Sequence, residues 1–501
     1  METTDAFAAA RDIVKRLRYL EYLDNVLYYD RWAGGSPSGG FAYGSEVNGF
    51  VVRQRSELLC SKTTKSVVEE LRGVSEGEAS KEDLCVARWL QARYDEATKV
   101  PSQLLEELSS ANAQGQREWA ECLERKDFKA FLPTLERQFD VQRRIALSID
   151  PDARVYDTIM ARCDPSYTCD EVDALFEAVK DEVLRLLPGA LDAFSDTDAL
   201  GLAPIEEVVS EDEADALVSL VCESLGADPA QTTRWRIHHP VTVCVGPRDG
   251  RPSTYPWGDA GLFQSMRAMA HETGHSMYGC GSSQRVVDLG LWGGIEGFMH
   301  ESQSRFYENH VFRSEEFWEG FLPKAQKLCP KLAGLEPQAV CKMLNKPKPG
   351  PSRLSADELT YPLHIIVRHE IERDYFDGRL ALADIEEAWN AKYKEYLGCA
   401  PEDASQGVLS DVHWASGCVG YFFSYALGDL YAAQFEHALR LDAPDAFARL
   451  SQGDSSEIKG WLSGHVWASG QSLSAPSTLR RATGEDLDAR YYCEYLARRY
   501  E

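Results

Sequence analysis

The chain has 501 residues, 44% hydrophobic and 27% charged, which excludes a largely disordered polypeptide. At roughly 150 residues per domain the length fits about three domains or one enzyme-sized body. Lys plus Arg number 53 against 80 Asp plus Glu, a formal charge of −27, and such a field disfavours nucleic acid and anionic membrane surfaces as partners.

Read from its start, the chain opens on the acidic Met1-Glu-Thr-Thr-Asp5. It lacks the basic-then-apolar order of a secretion signal. No stretch reaches the roughly 18 apolar residues of a membrane span. Thirteen cysteines without a C-x-x-C pair read as reduced, buried small hydrophobes, so a cytoplasmic location is expected. Gly34 to Gly40 reads as a flexible loop. Leu104, Leu105 and Leu108 open one helical pattern. Trp119, Leu123, Phe128, Phe131, Leu135 and Phe139 predict a helix over Arg117 to Leu147. Val172, Leu175, Val179, Val183 and Leu186 predict another, ended by Pro188-Gly189. Trp235 to Val245 is the best strand signal, with a turn at Gly246 to Gly250 that predicts a short hairpin. Lys346 to Gly350 is a Pro/Lys loop. Ser355-Ala-Asp-Glu358 has capping-box spacing ahead of a helix carrying Leu359, Leu363, Ile366 and Ile371. All eleven histidines lie at or after His238. Imidazole chemistry is therefore confined to the second half, and the first 237 residues read as scaffold or lid.

The sharpest motif is His271-Glu272-Thr273-Gly274-His275. At this composition about 0.04 such His-acid-x-x-His matches arise by chance. Asp259 is the expected N-cap, and Leu262, Phe263, Met266, Met269 and Ala270 supply a helical apolar face. Positions four apart share one helix face. His271 and His275 can then hold one metal while Glu272 holds a water. A catalytic zinc needs a third protein ligand and an open position. Glu301 follows the run Gly290-Leu-Trp-Gly-Gly-Ile-Glu-Gly297 and is the first candidate. His300, Glu296 and Glu308 compete, and spacing does not choose among them. Two neutral imidazoles and one carboxylate leave a site of net +1, which acidifies bound water and polarises a carbonyl. Glu272 would take the proton from water and pass it to the leaving amine.

The whole chain, most clearly from His239 onward, resembles the carboxypeptidase Taq family of thermostable-type metallocarboxypeptidases. His271-Glu-x-Gly-His275-x-x-Tyr278 resembles the family's zinc helix. His300-Glu-Ser-Gln-Ser-Arg305 with Tyr307-Glu-Asn309 resembles its third-ligand segment, which makes Glu301 the ligand. Arg353-x-x-Ala356-Asp357-Glu358-x-Thr360-Tyr361 resembles the segment whose arginine meets the substrate carboxylate. Gly407-Val-Leu-Ser-Asp411-Val-His413-Trp414, then Gly420-Tyr421, resembles the remaining active-site segment. The resemblance implies a mainly α, single-body fold over residues 1–501 with a deep substrate groove and a small β-sheet beside the active-site helix. Residues 1–230 would form a His-free helical arm and groove wall, and residues 231–501 the zinc-site half. It further implies a homodimer that removes single residues from peptides with a free C-terminus, using one Zn2+ per chain that Co2+ can replace.

The residue chemistry is compatible. A guanidinium fork binds a free carboxylate better than an ammonium does. Arg353 is the first choice for that role and Arg251 the second, while His413 and Tyr421 are candidate donors to a developing oxyanion. Several positions depart from the family pattern, among them Gly279-Cys280-Gly281 after Tyr278, where the family has Glu-Gln-Gly. Val241 replaces an aromatic residue, Pro252 and Ser253 alter an Asp-x-Arg-x-Thr segment, and Ser410 replaces a glutamine. A helical zinc oligoendopeptidase and a catalytically retired dimeric binding protein of the same fold are the competing readings.

Overall fold

The structure, a computed structural model, describes residues 3–33, 37–195 and 209–501. It is mainly α, with two small two-stranded sheets among the described residues. Residues 34–36 of the expected glycine loop lie outside the described residues, and Ser38–Gly40 form a 3-10 turn.

The chain groups into two compact units, each assembled from separated segments. One draws on segments 1–98, 199–341 and 431–487, the other on 99–198, 342–430 and 488–501. Each unit thus takes segments from both before and after residue 230. In the first unit, Phe7, Ala10, Ile13, Val14 and Leu17 of helix Thr3–Trp32 pack with Val67, Val68 and Leu90 of later helices and with Val286 and Leu291. The period of three and four puts these side chains on one stripe, and burying them removes it from water.

In the second unit, the helix expected over Arg117 to Leu147 is two helices, Ser102–Arg125 and Phe128–Ile149. Lys126 breaks it with a left-handed backbone, φ 58°. Its N–H and that of Asp127 satisfy the carbonyls of Leu123 and Cys122, a left-handed C-terminal cap filled by a non-glycine residue. Asp127 then caps the next helix, accepting from the Ala130 N–H at 3.0 Å. The two apolar stripes happen to be in phase across the break, which is why the pattern reads as one. Helix Cys169–Ala193 likewise continues through Pro188. The missing N–H and ring clash cost about 3 kcal/mol or more, and burial of Leu186, Leu187 and Ala190 opposes that cost.

The capping box at Ser355 does not form. Arg353–Ser355 is a 3-10 turn, and the helix begins only at Tyr361. The helix has no side-chain cap; Asp357 instead holds the turn before it, accepting from the Thr360 N–H at 3.0 Å. Glu358 turns inward to Arg499 at 2.8 Å and to Tyr495 and Tyr500. A buried guanidinium and two phenols outbid a backbone N–H for that carboxylate. The helix Tyr361–Phe376 is buried on nearly every side, including Leu363, Ile366 and Ile371.

The single strand expected at Trp235 to Val245 is divided. β1 (Trp235–Arg236) pairs in parallel with β4 (Ser253–Thr254), and β2 (Val243–Gly246) pairs antiparallel with β3 (Asp249–Arg251). His239-Pro240 interrupts the run, since proline supplies no ladder N–H. The hairpin turn is the short Pro247-Arg248 link. Both sheets flank helix Leu262–Cys280 in the first unit, so the small β region does lie beside the expected active-site helix.

Candidate metal centre

His271, Glu272 and His275 all lie on helix Leu262–Cys280. Asp259 does not cap it. The helix starts after Gly261 without a side-chain cap, and Asp259 pairs with His238. The four-residue spacing places the imidazoles of His271 and His275 together, ring centroids 4.9 Å apart. Glu301 comes from helix Phe298–Arg305, which follows Gly297 at φ 69° and ψ −139°, a backbone conformation open essentially only to glycine.

Gly274 lets these helices approach. A Cβ there would stand 2.5 Å from the carbonyl oxygen of Gln303 and 2.8 Å from Cα of Ser304. The glycine inside the His-Glu-Thr-Gly-His motif is thus the seat of the helix that carries Glu301. A π-helical turn, Phe306–Phe312, continues that helix. Such turns insert a residue and re-aim side chains at functional sites, and here the turn carries Glu308 back to His271.

Oε2 of Glu301 lies 3.7 Å from Nε2 of His271 and 3.5 Å from Nε2 of His275. Ligands bound at about 2.1 Å on a tetrahedron stand roughly 3.4 Å apart. The three atoms therefore fit one ion of zinc's size. Side-chain exposures of 20%, 18% and 11% leave the point they share partly open, as a catalytic rather than a closed structural site requires.

Each of the three side chains is held by a second partner. Nδ1 of His271 is 2.8 Å from Oε2 of Glu308, so it donates there and Nε2 keeps its lone pair. Nδ1 of His275 is 2.7 Å from Nδ1 of His300. Burial, then the neighbouring His275, pushes His300 down to about 3, so His300 is neutral and can accept that proton. Oε1 of Glu301 accepts from Nε of Arg305 at 2.8 Å, and Oε2 from the Ser304 hydroxyl at 3.2 Å. Burial works to raise the Glu301 carboxyl, but Arg305, His271 and His275 overcome it and hold the group well below the ordinary carboxylate range. Glu308 is fully enclosed, 3.0 Å from Arg267 and 3.4 Å from Arg305. Partners of this kind fix the tautomer and orientation of imidazoles where they bind a metal.

Of the four carboxylate and imidazole competitors, only Glu301 offers a ligand atom to the pair. Glu308 and His300 serve behind it. Glu296 is 76% exposed beside Arg93. Sequence reading missed Thr242, whose hydroxyl lies 2.7 Å from Oε2 and 2.8 Å from the backbone oxygen of Glu272. It sits in the interrupted strand, 30 residues from its partner, and no local pattern announces it. Tyr278 is also placed: its hydroxyl accepts from the Ile295 N–H at 2.9 Å and pins the glycine-rich run.

The remaining candidates occupy different surroundings. Arg251, in the first unit, donates twice to Asp249 (2.9 and 2.7 Å) and lies 4.3 Å over the Tyr29 ring. Ser253 is buried, and its hydroxyl meets both the backbone N–H and carbonyl of Val241 at 2.7 Å. Two of the departures from the family pattern thus lock onto each other. In the second unit, Arg353 donates twice to Asp411 (3.1 and 2.8 Å), with Nη1 3.5 Å from the Tyr361 hydroxyl. His413 is 3.6 Å from Asp411, and burial drives its pKa down. Tyr421 stacks edge-on with Tyr425, ring centroids 5.3 Å apart. Both arginine forks are therefore already engaged by carboxylates of the chain.

Residues 9–500 match the model of the Carboxypeptidase Taq (M32) metallopeptidase family. The chain is 32% identical to Thermostable carboxypeptidase 1 of Thermus thermophilus over 428 residues, 83% of this chain and 82% of the relative. It is 29% identical to Carboxypeptidase 1 of Bacillus subtilis, covering 98% and 97%. Among solved structures, the M32 carboxypeptidase from Deinococcus radiodurans matches with a TM-score of 0.92, 26% identity and 99% coverage of both chains. Among the described residues no helix is long and apolar enough to cross a membrane. With the motif, the third carboxylate and the full-length matches in agreement, the chain belongs to the Carboxypeptidase Taq (M32) family of metallopeptidases.

Proposed function

We propose that the chain is a zinc metallocarboxypeptidase that releases single residues from peptides with a free C-terminus. The observation that carries this reading is the convergence of His271, His275 and Glu301 with Glu272 one residue away on the same helix. When bound, a divalent metal supplies Lewis acidity to the scissile carbonyl and to the attacking water. Two nitrogens, one oxygen and an open position suit Zn2+, and Co2+ accepts the same set.

Glu272 acts as general base and then acid. Thr242 holds Oε2, which leaves Oε1 to take the proton from water and carry it to the leaving amine. Glu308 and His300 keep the two imidazoles turned, and Arg305 with Ser304 keeps Glu301 turned, so the ligands need no reorganisation. Arg353 is the proposed receptor of the substrate's terminal carboxylate. With Nε and Nη2 on Asp411, its Nη1 is the donor left to meet that carboxylate, and Asp411 fixes the plane of the guanidinium. Arg251 is the second choice. His413 and Tyr421 are proposed donors to the developing oxyanion.

Thirteen free cysteines suit a reducing, cytoplasmic setting. The homodimer implied by the resemblance joins this reading, and sedimentation at working concentration tests it.

The deciding experiment is mass spectrometry of matched peptides with free and amidated C-termini. Stepwise loss from the free peptide and none from the amidated one is expected. Internal cleavage of both would replace this reading with an oligoendopeptidase. No turnover at full metal occupancy would favour a retired binding protein. Glu272→Gln should retain metal and lose about 10²–10⁴-fold in kcat.

A further inference from the structure

The second unit brings a thiol, a carboxylate and an imidazole to one point that the peptidase chemistry does not use. Cys169 and Asp173 are four residues apart on one face of helix Cys169–Ala193. His369 reaches them from helix Tyr361–Phe376. Nε2 of His369 is 2.9 Å from Oδ1 of Asp173. Sγ of Cys169 is 3.9 Å from Nε2 of His369 and 3.9 Å from Oδ2 of Asp173. Sulfur, nitrogen and oxygen bound to one tetrahedral ion stand roughly 3.3–3.6 Å apart. The two sulfur separations exceed that range by about 0.3 Å and the nitrogen–oxygen separation falls short of it by about 0.4 Å, the sulfur one measured to Oδ2 of Asp173 and the nitrogen one to Oδ1, so a bound ion draws the carboxylate round or engages both of its oxygens.

The imidazole is oriented for the task. Its Nδ1 is 3.3 Å from the Tyr156 hydroxyl, which itself donates to Oε2 of Glu372 at 3.1 Å. The Tyr156 hydroxyl and Glu372 thus hold the ring from behind, and Nε2 faces Asp173 and Cys169. Glu372 also accepts from Trp414 Nε1 at 2.6 Å and the Gly420 N–H at 2.7 Å. Tyr156 and His369 are each only 1% exposed, so the ring cannot turn away. An imidazole backed by a hydrogen-bonded chain of this kind is the outer-shell arrangement of metal ligands. Arg373 holds Oδ1 of Asp173 at 2.8 Å, and Oδ2 is left facing the thiol.

The alternative use of such a trio, a nucleophilic cysteine, does not fit. Burial and then Asp173 push the Cys169 thiol up to about 12, the opposite of an activated thiolate. A divalent ion overcomes that by displacing the proton. Arg373 opposes a cation, but thiolate and carboxylate together supply two negative charges to balance one M2+. Sulfur ligation selects zinc-like ions over Mg2+ and Ca2+. Asp173, 28% exposed at its side chain, gives an entry path and room for water as fourth ligand.

We propose that Cys169, Asp173 and His369 form a second, structural site for a thiolate-binding divalent cation of the Zn2+/Co2+ class, tying the two helices together. On binding, the thiol proton and any proton on Nε2 pass to solvent, S–M and N–M bonds form, and no oxidation state changes.

The test is the absorption spectrum and metal content of the full chain titrated with Co2+. A sulfur-to-cobalt charge-transfer band in the near ultraviolet is expected, with two cobalt equivalents per chain. The centre at His271, His275 and Glu301 has no sulfur, so the band reports the second site alone. Cys169→Ser should lose the band and one equivalent, whereas His271→Ala should keep the band and lose the other equivalent. One equivalent without the band, or a band that survives Cys169→Ser, overturns the proposal. Should Cys169→Ser fail to fold, X-ray absorption of the zinc-loaded parent chain decides, because lack of a sulfur shell at about 2.3 Å also overturns it.

Discussion

Replacing Gly274 with alanine adds one methyl group where two helices meet. The new carbon would sit 2.5 Å from the Gln303 carbonyl oxygen and 2.8 Å from Cα of Ser304, against an ordinary contact that begins at 3.4 Å. The shortfall to the oxygen is about 0.9 Å. Both neighbours are backbone, so a side-chain rotation cannot relieve it, and the helix bearing Glu301 must move. A metal site tolerates about 0.2 Å of error in its ligand distances. Displacement of Glu301 by several times that should weaken metal binding by at least the 10–100-fold typical of losing an outer-shell partner. Overpacking should cost about 1–3 kcal/mol of stability, while alanine regains about 1 kcal/mol of helix propensity. Denaturant unfolding should therefore shift by no more than about 2 kcal/mol, and chelator competition should show the larger change. Affinity and stability both equal to the parent would refute the claim that Gly274 sets the helix spacing. A stability loss with unchanged affinity would refute its link to Glu301.

Three further outcomes test the surroundings of the two units. Glu308→Gln removes the charge that turns Nδ1 of His271 outward, and metal affinity measured by competition should fall 10–100-fold. Thr242→Val should leave metal content intact and lower kcat roughly 10–100-fold, the value of a hydrogen bond to a charged group, with Thr242→Ser restoring it. Asp411→Asn leaves the fully buried Arg368 without its carboxylate, 3.5 Å away, and should cost about 3–5 kcal/mol at pH 7. Burial works to raise the Asp411 carboxyl, but His413, Arg368 and Arg353 overcome it and depress the folded-state pKa strongly. The contribution is therefore complete above the unfolded value of about 3.9 and is lost as pH falls below it. The gap between the unfolding curves of parent and variant should begin to narrow below about pH 4 and keep narrowing as pH falls toward the depressed folded-state value. A constant gap down to pH 2 would place the effect elsewhere.

The amino-acid sequence by itself determined the helical character, the metal motif and the family. Those features repeat locally: a stripe every three or four residues, two histidines four apart on one helix face, and ordered segments from His271 to Tyr421. It also narrowed the third ligand, on residue chemistry alone, to Glu301, His300, Glu296 or Glu308, all within 13 residues. Which of those four stands beside the two histidines is visible only in three dimensions. Glu301 meets the histidines because Gly274 admits its helix, and Glu308 returns behind His271 because a π-turn re-aims it. Thr242 beside Glu272, the thiol-carboxylate-imidazole group at Cys169, Asp173 and His369, and the diversion of Glu358 to Arg499 all join residues 30 to 200 positions apart. The same competition explains the local errors. Ser355 had capping spacing, but Glu358 turns to Arg499, Tyr495 and Tyr500, and Asp259 pairs with His238 at the surface. Side-chain spacing specifies which face of an element is apolar, whereas the partner across that face is specified only when the backbone brings distant segments within a few ångströms.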